Sequence, residues 1–220
     1  MKRFTQIVLA LSIVGTAWFT LTSFTTEEAQ PLKRVGGYET EIYNINGLFD
    51  VYYSAELQQP VRVTYNVLCP DGDADRGGLS FREWPKFSAK FTANGADFDD
   101  NVWDKGHMAP AADFKCSVTQ MKSTFTYLNA ALQHKELNRG PWAQLESFER
   151  GLKRGYDSVW VQIDCHFSDT SLVLETGATV PDAFTKTIKV IGKPDAMKVV
   201  CKFPNDSTVK GMSWAEYRVN

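Results

Sequence analysis

None of the four cysteines, Cys69, Cys116, Cys165 and Cys201, stands in a CxxC pair or at zinc-ligand spacing from one of the three histidines, which argues against a zinc ribbon or finger. Positive charge is not in excess either. With 24 Lys and Arg against 26 Asp and Glu, the net charge is −2, so no global field draws nucleic acid or an anionic membrane, and any phosphate site must be local. The chain has no internal repeat and no low-complexity tract, which disfavours a solenoid or propeller. What is present, 43% hydrophobic, 13% aromatic and 23% charged residues over 220 positions, fits one folded domain with a short appendage.

The appendage is the N-terminus. Lys2 and Arg3 precede an uncharged stretch from Phe4 to Thr26, within which Ile7 to Val14 has the length of a signal-peptide core. Gly15-Thr16-Ala17 offers small residues for cleavage after Ala17, while Trp18, Phe19, Leu21 and Phe24 prolong the run toward the length of a membrane span. Residues 1–26 therefore read as a signal peptide or a retained membrane anchor (residues 4–26), residues 27–37 as a linker, and residues 38–220 as the folded domain. Localisation follows as secreted or periplasmic, or membrane-anchored and facing the extracytoplasmic side. In an oxidising compartment four cysteines allow three disulfide connectivities. Cys165–Cys201, near the ends of two strands expected to be neighbours, is the favoured pairing, set against four buried, reduced thiols.

The body reads as α+β with a mostly antiparallel sheet. Alternating patterns predict strands at Phe49–Tyr53 and Val61–Leu68, joined by a turn at Gln58-Gln59-Pro60. Pro70 to Asn101, rich in Asp, Gly, Pro and Asn, reads as a long loop with one short element. Ser117 is placed to cap a helix through Lys122, and a strand is expected at Thr124–Leu128. Pro141 and Gly155 bracket a helix over Trp142–Arg154. Further strands are expected at Ser158–Phe167, Ser171–Glu175, Phe184–Ile191 and Met197–Phe203.

The chemistry concentrates between Asp104 and Arg150. Asp104-Lys105-Gly106-His107-Met108-Ala109-Pro110 sets a histidine beside a glycine and a cation. It is followed by Tyr127-Leu128-Asn129 with Gln133, by Leu137-Asn138-Arg139-Gly140-Pro141-Trp142, and by Leu145-Glu146 with Arg150 one turn later. Together these segments resemble the DNA/RNA non-specific endonuclease family, the ββα-metal (His-Me finger) nucleases that include endonuclease G. That family's signature runs D-R-G-H, N-x-x-P-Q, L-N-x-G-x-W, L-E and a trailing Arg. The resemblance extends from about Tyr38 to the C-terminus, and several fixed intervals in two separated motifs must coincide to produce it.

The resemblance implies a ββα-metal core in which His107 is the general base and Asn138 the protein ligand of a single Mg²⁺, or Mn²⁺ in its place. The chemistry suits those residues: a neutral imidazole accepts a proton near neutral pH, and an amide carbonyl is a hard donor for an ion that keeps several waters. Glu146, two helical turns beyond Asn138, is placed to orient a water of the ion, and Arg150 to contact phosphate or hold that carboxylate. Asn129 matches the family's first asparagine and is expected to support the histidine loop, with a plain turn asparagine as the alternative. Lys105 and Arg139 join Arg150 as expected phosphate contacts, within a cluster of cations that includes Lys135, Lys153 and Arg154, with Arg76 and Arg82 as further candidates.

Three positions depart from the family pattern. Lys105 replaces its arginine, keeping the charge but losing the two-pronged grip on phosphate. Leu132 replaces its proline. The family commonly continues beyond the region matching Trp214–Val219 into another short helical segment. The implied function is an exported, Mg²⁺-dependent endonuclease cleaving phosphodiesters in DNA and RNA without base specificity, open to control by an inhibitor protein. The competing reading is a catalytically weak nucleic-acid-binding or surface-attached protein that keeps the fold.

Overall fold

The computed structural model describes residues 33–85, 93–192 and 196–219. The signal-peptide or anchor segment, and the linker up to residue 32, lie outside the described residues; no helix among the described residues is long and apolar enough to cross a membrane. Seven strands form one antiparallel sheet in the order β1-β2-β3-β4-β7-β8-β9: β1 Lys33–Val35, β2 Tyr38–Ile45, β3 Phe49–Ser54, β4 Gln59–Asn66, β7 Ser158–His166, β8 Ala183–Ile191 and β9 Met197–Pro204. The remaining two, β5 Trp103–His107 and β6 Ala130–His134, form a separate antiparallel ribbon. The helices are α1 Val118–Ser123, α2 Lys135–Leu137 and α3 Ala143–Lys153.

Strand alternation dictates which face is buried. In β7 the even-phase residues Val159, Val161, Ile163 and Cys165 point inward, and β8 follows with Phe184, Ile188 and Val190. This face packs on Met108, Phe114, Leu128, Leu137, Trp142 and Leu145 from the segment carrying the ribbon and helices, one continuous core. Trp142, fully buried, meets Phe184 and Phe203 edge-on with ring centroids 5.6 and 5.9 Å away.

The helix capped by Ser117 forms as expected, with the Gln120 N–H donating to the Ser117 hydroxyl at 3.2 Å. Other expectations need correction. Lys33–Val35, assigned to a linker, form the edge strand on β2. The strand expected at Thr124–Leu128 is a 3-10 turn, Tyr127–Asn129, because the chain must bend there into β6. Ser171–Glu175 contributes a single bridge, Val173 to Thr179. The short element in the long loop is a 3-10 turn at Gly95–Phe98 capped reciprocally by Asn94 and Asp97.

The disulfide joins Cys69 to Cys116, with Cα atoms 5.1 Å apart, while Cys165 and Cys201 are free and buried. The expected Cys165–Cys201 pairing fails because β8 lies between their strands: Cys165 sits opposite Phe184, and Cys201 opposite Lys186. Two strand spacings and a two-residue offset along β8 put the pair more than about 9 Å apart, beyond disulfide reach. A parallel bridge from Cys69 to Phe114 instead brings Cys69 beside Cys116.

Candidate active site

β5 runs into His107, and β6 leads without a loop into α2, a π-helical turn Asn138–Trp142, and α3. Sequence explains the widened turn. Pro141 has no N–H and its ring crowds the preceding carbonyls, and Gly140 leaves the helical region at φ −105°, ψ −116°. Gly106 is required by a close approach: a Cβ there would stand 2.6 Å from the Cβ of Gln133 on the partner strand. The glycine thus lets β5 and β6 lie close enough to hold the histidine against the start of the helical segment.

A cavity of about 470 Å³ opens over this junction, and its lining includes Arg76, Lys105, His107, Asn138, Glu146 and Arg150. All six of these were singled out in the sequence, and they share one site. The His107 ring packs against Phe81 and Phe125, with centroids 4.5 and 4.8 Å away. Its Nε2 has no hydrogen-bond partner among the described residues. Burial, reinforced by the Arg76 charge, pushes its pKa down to about 3, so the ring is neutral at pH 7.

Asn138 is oriented from behind. Its Nδ2 donates to Asp104 Oδ2 at 2.9 Å, which leaves the amide oxygen as the group able to serve a ligand. Asp104 is itself gripped by Arg139, whose Nε and second guanidinium nitrogen reach its two oxygens at 2.8 and 2.6 Å. Burial works against ionisation of Asp104, but the hydrogen bonds from Arg139 and Asn138 prevail and hold its carboxyl below the usual range. Arg139 thus braces the carboxylate that orients Asn138 and lies outside the cavity lining.

Asn129 also lies outside that lining. Fully buried, it donates to the carbonyls of Ala109 and Thr124 at 2.9 Å each and accepts from the Ala109 N–H at 2.8 Å. Its whole side chain is engaged in fixing the loop following His107. Of the other cations, Arg154 pairs with Asp71 at 2.6 Å and Lys153 donates to the Asp157 carbonyl, so both are engaged away from the cavity.

Beneath Glu146 and Arg150 lies a charged network that motif reading missed. Arg150 reaches Asp113 at 3.3 Å, Ser147 at 3.1 Å and Glu146 at 3.9 Å. Glu149, on the inward face of α3, is fully buried, ion-paired with the equally buried Lys186 of β8 at 2.7 Å and hydrogen-bonded by the Tyr65 hydroxyl at 2.8 Å. The Lys186 amine also stands 4.9 Å from the Trp142 ring centre. Burial, with Glu149 adding to it, raises the Glu146 pKa to about 7, while the Lys186 and Arg150 charges pull it back down. Burial and the Glu149 charge likewise push the Asp113 carboxyl well above its ordinary range. One sequence signal for this network existed: Lys186 occupies a core phase of an alternating strand.

A family model described as DNA/RNA non-specific endonuclease matches residues 34–220. This chain belongs to that family. Among curated relatives, the mitochondrial endonuclease G of Homo sapiens is 39% identical over 90 residues, 41% of this chain and 30% of that protein. The mitochondrial nuclease EXOG of Danio rerio is 40% identical over 90 residues, 41% of this chain and 26% of that protein. The mitochondrial nuclease of Saccharomyces cerevisiae is 33% identical over 156 residues, covering 69% of this chain and 45% of that protein. The matched part of this chain spans less than half the length of each. A chain in the crystal structure of an EndoG/EndoGI complex superposes with a TM-score of 0.72 at 20% identity, covering 81% of this chain and 80% of that one. The α+β, mostly antiparallel architecture is thus shared.

Proposed function

We propose that the protein is an exported, Mg²⁺-dependent endonuclease that hydrolyses phosphodiester bonds in DNA and RNA without base specificity. The observation that carries this reading is the convergence of His107 and Asn138 on one cavity with Arg76, Lys105, Glu146 and Arg150. His107 takes the proton from a water attacking phosphorus in line; the anionic phosphate seated beside it raises the ring's proton affinity from the low value that burial and Arg76 impose. Arg76 and Lys105 neutralise the phosphate oxygens, and Arg150, braced by Asp113, adds charge from the far side. The products are 5′-phosphate and 3′-hydroxyl ends.

The donor set fits a hydrated hard cation. No cluster of three or more His, Cys, Asp or Glu gathers as a metal site among the described residues, and Asn138 offers one neutral oxygen, fixed by Asp104. That is the sparse coordination Mg²⁺ accepts, with Mn²⁺ able to stand in. When bound, the ion stabilises charge on the phosphate and the leaving 3′ oxygen. Glu146, in the same cavity, holds a water in place through its carboxylate.

Export is supported by the Lys2-Arg3 and Ile7–Val14 pattern and by the Cys69–Cys116 disulfide, which suits an oxidising compartment. N-terminal sequencing of the exported product tests cleavage after Ala17 against retention as an anchor. A small acidic inhibitor protein covering the cleft is the partner this reading anticipates, and co-purification tests it. The activity is tested by incubating purified protein with plasmid and Mg²⁺, with EDTA and His107→Ala as controls. Metal-dependent nicking lost in His107→Ala is expected; binding without nicking would instead support a nucleic-acid-binding protein that has kept the fold.

A further inference from the structure

A second cavity, about 370 Å³, adjoins the catalytic one and shares Arg76, Lys105 and Asn138 with it. Its character is different. The wall is formed by Phe81, Phe98, Trp103 and Phe125, and its size falls within the ~300–1,000 Å³ of small-ligand sites. Phe81, Phe98 and Trp103 are only partly buried. Two cations stand where the cavities meet, each seated on an aromatic ring: Arg76 lies 5.2 Å from the Phe125 ring centre, and Lys105 lies 5.2 Å from that of Phe98.

From this geometry we infer that the aromatic cavity is a subsite for one nucleobase flanking the scissile phosphate, and that the enzyme prefers substrates whose bases are unstacked. The inference rests on the nuclease reading above. A phosphate held by Lys105 and Arg76 carries a base one sugar away, within reach of the adjoining cavity. Aromatic walls accept the π-face of any base, which gives affinity without sequence preference. In a duplex that base is stacked on both faces and paired at its edge, so seating it requires extrusion from the helix. Single-stranded nucleic acid offers it without that cost. No local pattern signals this platform because its rings are scattered along the chain, Phe81 and Phe98 in the long loop, Trp103 at the start of β5, and Phe125 before the 3-10 turn at Tyr127–Asn129.

The test uses a single-stranded oligodeoxythymidylate in which one nucleotide is replaced by a tetrahydrofuran abasic analogue, with cleavage at each linkage followed in Mg²⁺. Cleavage at a linkage adjoining the abasic position should fall about 5–150-fold relative to the same linkage in the intact oligomer, the equivalent of the ~1–3 kcal/mol of one base–aromatic stack. In Phe98→Leu and Trp103→Leu, which remove a ring while keeping bulk, that penalty should shrink toward unity. Should either variant fail to fold by circular dichroism, the comparison in the unaltered protein decides alone. Equal cleavage of abasic and intact linkages would overturn the subsite while leaving the nuclease reading standing. Absence of cleavage in both oligomers would overturn the two together.

Discussion

Replacing Lys186 by Met tests the charged network under α3. The amine and the Glu149 carboxylate are 2.7 Å apart and both fully buried, so the substitution leaves a carboxylate without its counter-charge in the core. Breaking such a pair costs ~3–5 kcal/mol. At ~2–4 °C per kcal/mol for a domain of this size, the melting temperature should fall by roughly 6–20 °C. The double change Lys186→Met with Glu149→Gln removes both charges and keeps an acceptor for the Tyr65 hydroxyl, so it should recover at least half of the loss. Urea titrations of the four proteins complete the cycle. A second readout is independent of stability: Lys186 is the strongest influence holding the Glu146 carboxyl down, so without it the pH of half-maximal nicking should rise above about 7. A single variant costing under ~1 kcal/mol, or a double variant as damaged as the sum of the singles, would refute the reasoning.

Other expectations follow from the same geometry. Asp104→Ala, which frees the Asn138 amide from its anchor, should reduce activity about 10–100-fold and raise the Mg²⁺ concentration for half-activation, whereas Asn138→Ala should lower activity at every Mg²⁺ concentration. The Glu146 carboxyl is pushed up to about 7 from an ordinary 4.5, so nicking should climb with pH through that value and the acid limb should flatten in Glu146→Gln. The sign for stability is opposite: the folded carboxyl binds its proton more tightly than the unfolded one, so its contribution is present below pH 4.5 and is lost as pH rises through 7. Reducing the Cys69–Cys116 bond, with a sequence separation of 47, should cost about 4 kcal/mol by loop-closure entropy. The shift in denaturation midpoint with reductant should persist in Cys165→Ala/Cys201→Ala and vanish in Cys69→Ser/Cys116→Ser.

The residues that line the cavity over the ribbon–helix junction were legible because their chemistry recurs at fixed intervals: His107, Asn138, Glu146 and Arg150 read off one stretch of chain. Strands β7, β8 and β9 were legible through clean alternation. By contrast β2 buries an irregular subset of YETEIYNI, and β5 carries Asp, Lys and Gly in a strand, so neither announces itself by period. The pairing of Arg139 with Asp104 has no sequence signal, because the two are brought together only by the ribbon's antiparallel return. Lys186 and Glu149 lie 2.7 Å apart across the interface between a helix and a sheet, a proximity that no local pattern encodes.

Leu132 shows what a departure from a family pattern can be for. Its N–H donates to the Gln59 side chain at 3.0 Å, a bond that proline could not make, and its carbonyl accepts from Asn205 at 2.9 Å. Asn205 also accepts from the His134 N–H at 2.7 Å and donates to the Pro181 carbonyl at 2.8 Å. The ribbon bearing His107 is therefore stitched in place by residues from opposite ends of the folded region, the last of them made late in synthesis. A growing chain therefore carries His107 and Asn138 well before it carries Asn205, and the ribbon gains its hydrogen bonds with Asn205 only once that later segment has folded against it.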